Sequence, residues 1–180
     1  MVNLPTVITF SRILLIPIFI YVVETNKLLG VFIFVLASAT DILDGYIARK
    51  SKQVTKLGVL LDPIADKLLI ISALIVLVDK GCVDAWVAIV IIAREFIVTG
   101  LRIVALSKDI VIPAEMGGKI KTVVQFISIF ILLLYLLNIP LNSLNQDLLL
   151  DTGTYLLWTA MLIGIASGVQ YFILFRKRLS

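Results

Sequence analysis

Runs of about twenty predominantly apolar residues recur along the chain, near residues 6–23, 28–48, 59–78, 84–106, 119–137 and 152–174, with only short polar breaks between them. A helix rises ~1.5 Å per residue and a bilayer's hydrocarbon core is ~30 Å thick, so each run is long enough to cross as a helix. Lipid offers no partners to backbone N–H and C=O groups, and a helix satisfies all of its own. The hydrophobic share, 61%, exceeds the roughly half-apolar average of soluble domains, and the mean hydropathy is +1.11. The expectation is an all-α membrane protein of six transmembrane helices, forming one integral membrane domain over residues 1–180. The longest break expected runs from about Asn138 to Asp151. The first run lacks a basic preceding region and a small-residue cleavage pattern, and Arg12 interrupts it, so it is expected to remain as a helix.

Charge sets the expected orientation. Arg49, Lys50, Lys52 and Lys56 crowd the break between the second and third runs, and Arg176, Lys177 and Arg178 follow the sixth. The positive-inside rule makes both clusters cytoplasmic. Six crossings put both termini on one side, and the second-to-third break falls on that side too, so the helix count and the charge bias agree. The net charge of +4 suits anionic headgroups or phosphate-bearing substrates and gives no reason to expect nucleic acid as a partner.

Cys82 is the sole cysteine, which excludes an intrachain disulfide and reads as a small buried apolar residue. No histidine is present, which excludes histidine nucleophiles, histidine general bases and zinc sites that need imidazole. Chemistry must run on carboxylates, hydroxyls, Lys or Arg.

Asp41, Asp44, Asp62 and Asp66 stand inside or at the edges of apolar runs, where an ionisable group costs roughly 2.5–3.5 kcal/mol near a helix centre. Asp41 and Asp44 are three apart and Asp62 and Asp66 four apart, so each pair shares a helix face one turn from its partner. Counted inward from the basic break, Asp44 lies five residues before Arg49 and Asp62 four after Gly58, while Asp41 and Asp66 each lie eight away. Eight residues is ~12 Å, so an antiparallel hairpin would hold the pairs at matching depth, reachable from the cytosol. Converging carboxylates repel one another unless cations lie between them. Hard oxygen donors favour Mg2+, Mn2+ or Ca2+ over zinc, and two such ions can clamp a phosphoryl group. The plainer alternative pairs the acids with basic neighbours such as Lys67 in a solvated cavity, but two same-face pairs at equal depth are poorly explained that way. Gly45, Ala48 and Gly58 flank the acids, where small residues serve either close helix packing or close approach of a nucleotide.

Written out, Asp41-x2-Asp44-Gly45-x2-Ala48-Arg49-x8-Gly58-x3-Asp62-x3-Asp66 occupies all eight fixed positions of the signature that it resembles, that of the CDP-alcohol phosphotransferases. The resemblance implies a six-helix membrane domain, usually dimeric, in a cell membrane, with a cytoplasmic active site. It implies two divalent ions, Mg2+ or Mn2+, on Asp41, Asp44, Asp62 and Asp66, and Asp66 as general base. Asp44, Gly45, Ala48, Arg49 and Gly58 would contact the CDP-linked lipid. The implied reaction passes a phosphatidyl group from CDP-diacylglycerol to an alcohol, releasing CMP.

Further segments resemble phosphatidylglycerophosphate synthases: Asn3-Leu4-Pro5-Thr6 with Arg12, Arg94-Glu95-Phe96-x-Val98-Thr99-Gly100-Leu101-Arg102, and Gly118-Lys119-x-Lys121-Thr122-x2-Gln125. They imply sn-glycerol 3-phosphate as acceptor and an enzyme of anionic phospholipid synthesis. A phosphorylated acceptor needs cationic partners, and Arg94, Arg102, Lys119 and Lys121 are the candidates, with Gln125 a further candidate of the acceptor site. Lys119 and Lys121 have a second reading as interfacial anchors at a helix start. Glu95 and Arg102, seven residues apart, are nearly aligned along a helix, either orienting Arg102 or forming a buried pair. Asn3, Thr6 and Arg12 are further candidates near the substrate phosphates. Inositol phosphate, inositol or serine as acceptor would keep the aspartates and change the basic set. A cation or proton transporter would also carry intramembrane carboxylates, but it predicts acids spread through the depth and paired broken helices.

Overall fold

In the computed structural model every apolar run becomes a helix: α1 (Leu4–Thr25), α2 (Lys27–Ser51), α3 (Lys56–Asp79), α4 (Ala85–Ser107), α5 (Met116–Leu136) and α6 (Ser143–Leu179). The backbone is described for residues 4–51, 56–108, 116–138 and 143–179, and side chains for 11, 13–39, 67–105, 107–108, 116–138 and 145–178. Among these residues the regular structure is helical throughout. α5 and the Asn145–Arg178 stretch of α6 are long and apolar enough to cross a membrane. Large apolar side chains such as Leu14, Tyr21, Leu28, Phe32, Ile89, Ile97, Leu162 and Ile173 are exposed, a surface that suits lipid and that a water-soluble domain rarely carries at such extent.

One expectation is corrected. The break expected from about Asn138 to Asp151 is shorter, because α6 already begins at Ser143. The segment Ser143-Leu-Asn-Gln-Asp-Leu-Leu-Leu-Asp151 is too polar to read as a spanning run, yet adding residues to an existing helix is cheap once it has nucleated. Asp147 and Asp151 therefore lie on a helix, exposed, rather than in a loop.

The chain divides into two compact units, Met1–Val76 and Leu77–Ser180. In the first, α1 packs on α2. Asn26 joins them as an N-cap: its side-chain Oδ1 accepts from the Leu29 N–H at 3.1 Å, and its carbonyl from the Gly30 N–H at 2.9 Å. Gly30 permits the close approach, since a Cβ there would lie 2.7 Å from Val23 Cα. Phe19 and Phe34, both fully buried, close the hairpin with ring centroids 5.9 Å apart.

In the second unit, α6 packs against both α4 and α5. α3 stops in a Schellman turn: Gly81 takes φ of 71°, the Gly81 N–H donates to Val78 O at 3.0 Å, and the Cys82 N–H to Leu77 O at 2.9 Å. Only glycine adopts that φ without strain. Cys82 is buried, as its residue type suggested. Asn138, two residues past the end of α5, takes φ of 48°, and the C-terminal half of α5 buries Ile129, Leu132, Leu133 and Leu136. Ser128, fully buried, donates to Gly153 O of α6 at 2.7 Å. Trp86 and Trp158 meet edge to face at 5.2 Å. Arg176, Lys177 and Arg178 fill the last turn of α6, where cations complement the helix dipole. Eighteen residues separate Trp158 from Arg176, about 27 Å of helix, close to the hydrocarbon thickness between an aromatic and a basic interface.

Candidate functional site

The four aspartates fall on two helices that run unbroken through them: Asp41 and Asp44 on α2, Asp62 and Asp66 on α3. Helical backbone at these positions makes the three- and four-residue spacings same-face spacings, one turn apart. Gly45, Ala48 and Arg49 continue α2, and Gly58 stands in the first turn of α3. The side chains of all eight signature residues lie outside the described residues, as do those of Asn3, Thr6 and Arg12. The donor set is nonetheless chemically uniform. Four carboxylates, with no imidazole and no thiolate nearby in sequence, fit a hard divalent cation.

The described side chains build a second constellation, on α4, α5 and α6 of the second unit. Arg94 donates from all three of its guanidinium nitrogens. Its Nε donates to the Gly164 carbonyl at 2.9 Å, its Nη2 to Ser167 Oγ at 2.8 Å and its Nη1 to Glu95 Oε1 at 3.0 Å. Glu95 Oε1 also accepts from Lys121 Nζ. The Lys121 side chain is 4% exposed, and those of Arg94 and Glu95 are 16% and 15%. Gly164 and Gly168 on α6 leave the room: a Cβ at Gly164 would stand 3.5 Å from Lys121 Cγ, and one at Gly168 3.6 Å from Arg94 Cγ. The Gly-x3-Gly spacing is thus filled by the stems of two cations, which gives the small-residue stripe a partner other than a bare helix backbone.

This arrangement sorts the basic candidates. Lys121 and Gln125 lie on the buried face of α5, while Lys119 is exposed. Two residues on a helix are ~200° apart, so Lys119 and Lys121 cannot share a face. Arg102 is exposed. Glu95, which its spacing aligned with Arg102, is engaged by Arg94 and Lys121. Arg94 acts as a strut from α4 to α6. Gln125 is 2% exposed, and neither Nε2 nor Oε1 has a hydrogen-bond partner among the described residues. A buried amide left in that state is uncommon and asks for a polar group to meet it.

Glu95, Gly164 and Ser167 are the residues that sequence reasoning passed over as site members. Glu95 carried a signal, an acid inside an apolar run beside an arginine. Gly164 and Ser167 carried little, since their partners lie 70 and 73 residues away in the chain.

Comparison with known proteins agrees with the signature. The profile of the CDP-alcohol phosphatidyltransferase family matches residues 2–167. The chain is 42% identical to a CDP-diacylglycerol--glycerol-3-phosphate 3-phosphatidyltransferase of Bacillus subtilis, over 96% of this chain and 94% of that protein. It is 41% identical to the protein of the same name from Rickettsia bellii, over 94% and 93%, and 35% identical to a probable phosphatidylglycerophosphate synthase of Mycobacterium tuberculosis, over 94% and 79%. With the profile covering nearly the whole chain and these identities sustained end to end, the chain belongs to the CDP-alcohol phosphatidyltransferase family.

Proposed function

We propose that this protein transfers the phosphatidyl group of CDP-diacylglycerol to sn-glycerol 3-phosphate, yielding phosphatidylglycerophosphate and CMP for anionic phospholipid synthesis. The observation that carries the reading is the identity of about 40%, over nearly the full length of both chains, to relatives bearing that activity's name.

In the reaction, Asp66 accepts the proton of an acceptor hydroxyl, and the oxygen attacks the phosphorus that bears the diacylglycerol. A P–O bond forms to glycerol phosphate as the P–O bond to CMP breaks, so no covalent enzyme intermediate is needed. Asp41, Asp44, Asp62 and Asp66 would hold two divalent ions, Mg2+ or Mn2+, which when bound neutralise the pyrophosphate charge. Arg49 adds bidentate hydrogen bonds to a phosphate, and Gly45, Ala48 and Gly58 let the nucleotide come close. Lys121 and Gln125 serve the acceptor from the buried face of α5, with Arg102 and Lys119 as exposed cations at its approach. Asn3, Thr6 and Arg12 contribute near the substrate phosphates. All six helices cross the cell membrane with both termini cytoplasmic, and the working unit is a homodimer. This placement serves a reaction whose nucleotide and glycerol phosphate are water-soluble while its acyl chains stay in lipid.

The test is CMP release by the purified protein in detergent with CDP-diacylglycerol and Mg2+ or Mn2+. Release with sn-glycerol 3-phosphate, and not with serine, myo-inositol or inositol phosphate, is the expected result. Release with one of the others alone would move the assignment to that acceptor, and release with none would reject the reading.

A further inference from the structure

Glu95 has no part in the chemistry above, yet it is the hub of the described polar cluster. Two cations, Arg94 and Lys121, meet one of its oxygens. The two cations share that oxygen where the side chains are 4–16% exposed. Arg94 is already tied to α6 through Gly164 and Ser167, so α4 needs no further link to that helix. What Glu95 adds is a fixed position for the Lys121 ammonium on α5. A purely structural tie could be made as well by apolar side chains of similar volume.

One turn beyond Lys121, on the same buried face, stands Gln125 with its unpartnered amide. An ammonium supplies charge to an oxyanion, and an amide supplies both a donor and an acceptor to hydroxyls. Together they match a polyol phosphate. Resting on the phosphatidyl-transfer reading, we propose that Glu95 is a positioning residue for the acceptor. It anchors Lys121 so that the ammonium and the Gln125 amide engage the phosphate and hydroxyls of a polyol phosphate.

The experiment is a double-mutant cycle of Glu95→Gln and Lys121→Met, with Glu95→Asp and Gln125→Leu alongside. The readouts are the KM for each substrate, the calorimetric Kd for sn-glycerol 3-phosphate, and thermal stability. Glu95→Gln is expected to raise KM and Kd for glycerol phosphate about tenfold, to leave the KM for CDP-diacylglycerol within about twofold, and to add nothing in the Lys121→Met background. Glu95→Asp keeps the charge at a shorter reach and should fall between. Gln125→Leu breaks no described hydrogen bond, so it should keep the fold while raising the acceptor KM; it carries the test if Glu95→Gln does not fold. Equal rises for both substrates, additive effects in the cycle, or an unchanged acceptor KM would overturn the role. Absence of binding of both glycerol phosphate and inositol phosphate by the parent protein would overturn it as well. If the parent protein uses inositol phosphate instead, the acceptor assignment fails separately, and the same cycle on that acceptor decides Glu95.

Discussion

Gly30 offers the sharpest test of how closely the first two helices pack. A Cβ at this position would lie 2.7 Å from Val23 Cα and 2.8 Å from Val23 Cβ, against ~3.5–4.0 Å for an unstrained carbon contact. Backbone, unlike the tip of a flexible side chain, cannot swing away, so Gly30→Ala must open the α1–α2 hairpin by most of an ångström. Overpacking of this kind costs about 1–3 kcal/mol. Alanine also gains ~1 kcal/mol of helix propensity over glycine, and Gly100→Ala on α4 shares that gain with open space around its Cβ. Comparing the two variants cancels the propensity and isolates the steric cost. For a chain of this size each kcal/mol moves the midpoint by ~2–4 °C, so Gly30→Ala should melt about 2–12 °C below Gly100→Ala. Circular dichroism of the detergent-solubilised protein reads this directly. Indistinguishable midpoints would refute the close approach of α1 and α2.

Three further expectations address the site. Asp66→Asn should lower the rate of CMP release by about a hundredfold or more while nucleotide binding measured by calorimetry is largely kept; equal loss of both would argue against a base. Removal of divalent cations with EDTA should abolish turnover and leave the helical dichroism unchanged, with activity returning on adding Mg2+ or Mn2+; persistent activity would refute a metal on the four aspartates. Ser167→Ala removes the 2.8 Å bond to Arg94 Nη2, a hydrogen bond to a charged group worth about 1.5–3 kcal/mol. It should lower the melting midpoint, whereas Ser107→Ala, which loses only an exposed bond to Val104 O, should not.

Much of the fold was legible because its signals are local. Apolar runs of spanning length, bounded by Asn26, Gly81 and Asn138, match α1 to α5 to within a few residues. The start of α6 was not, because hydropathy reports where a helix is greasy, and the turns from Ser143 to Asp151 are helical without being so. The aspartate signature was likewise legible, since a three- or four-residue spacing becomes a shared face once the backbone is helical. The acceptor side was read only as four basic residues and Gln125, without their partners.

Residue types and their short-range order were enough for helices α1 to α5, the spacing of the carboxylates along α2 and α3, the absence of histidine and the family resemblance. All of these depend on residue type and on separations of a few positions. Tertiary structure decided which cations turn inward. It buried Lys121 and left Lys119 exposed, joined Arg94 to Gly164 and Ser167, and made Glu95 the shared partner of Arg94 and Lys121. Helix periodicity states which residues share a face. Only packing selects the face that is covered and what covers it, and here the deciding partners lie 26 to 73 residues apart along the chain.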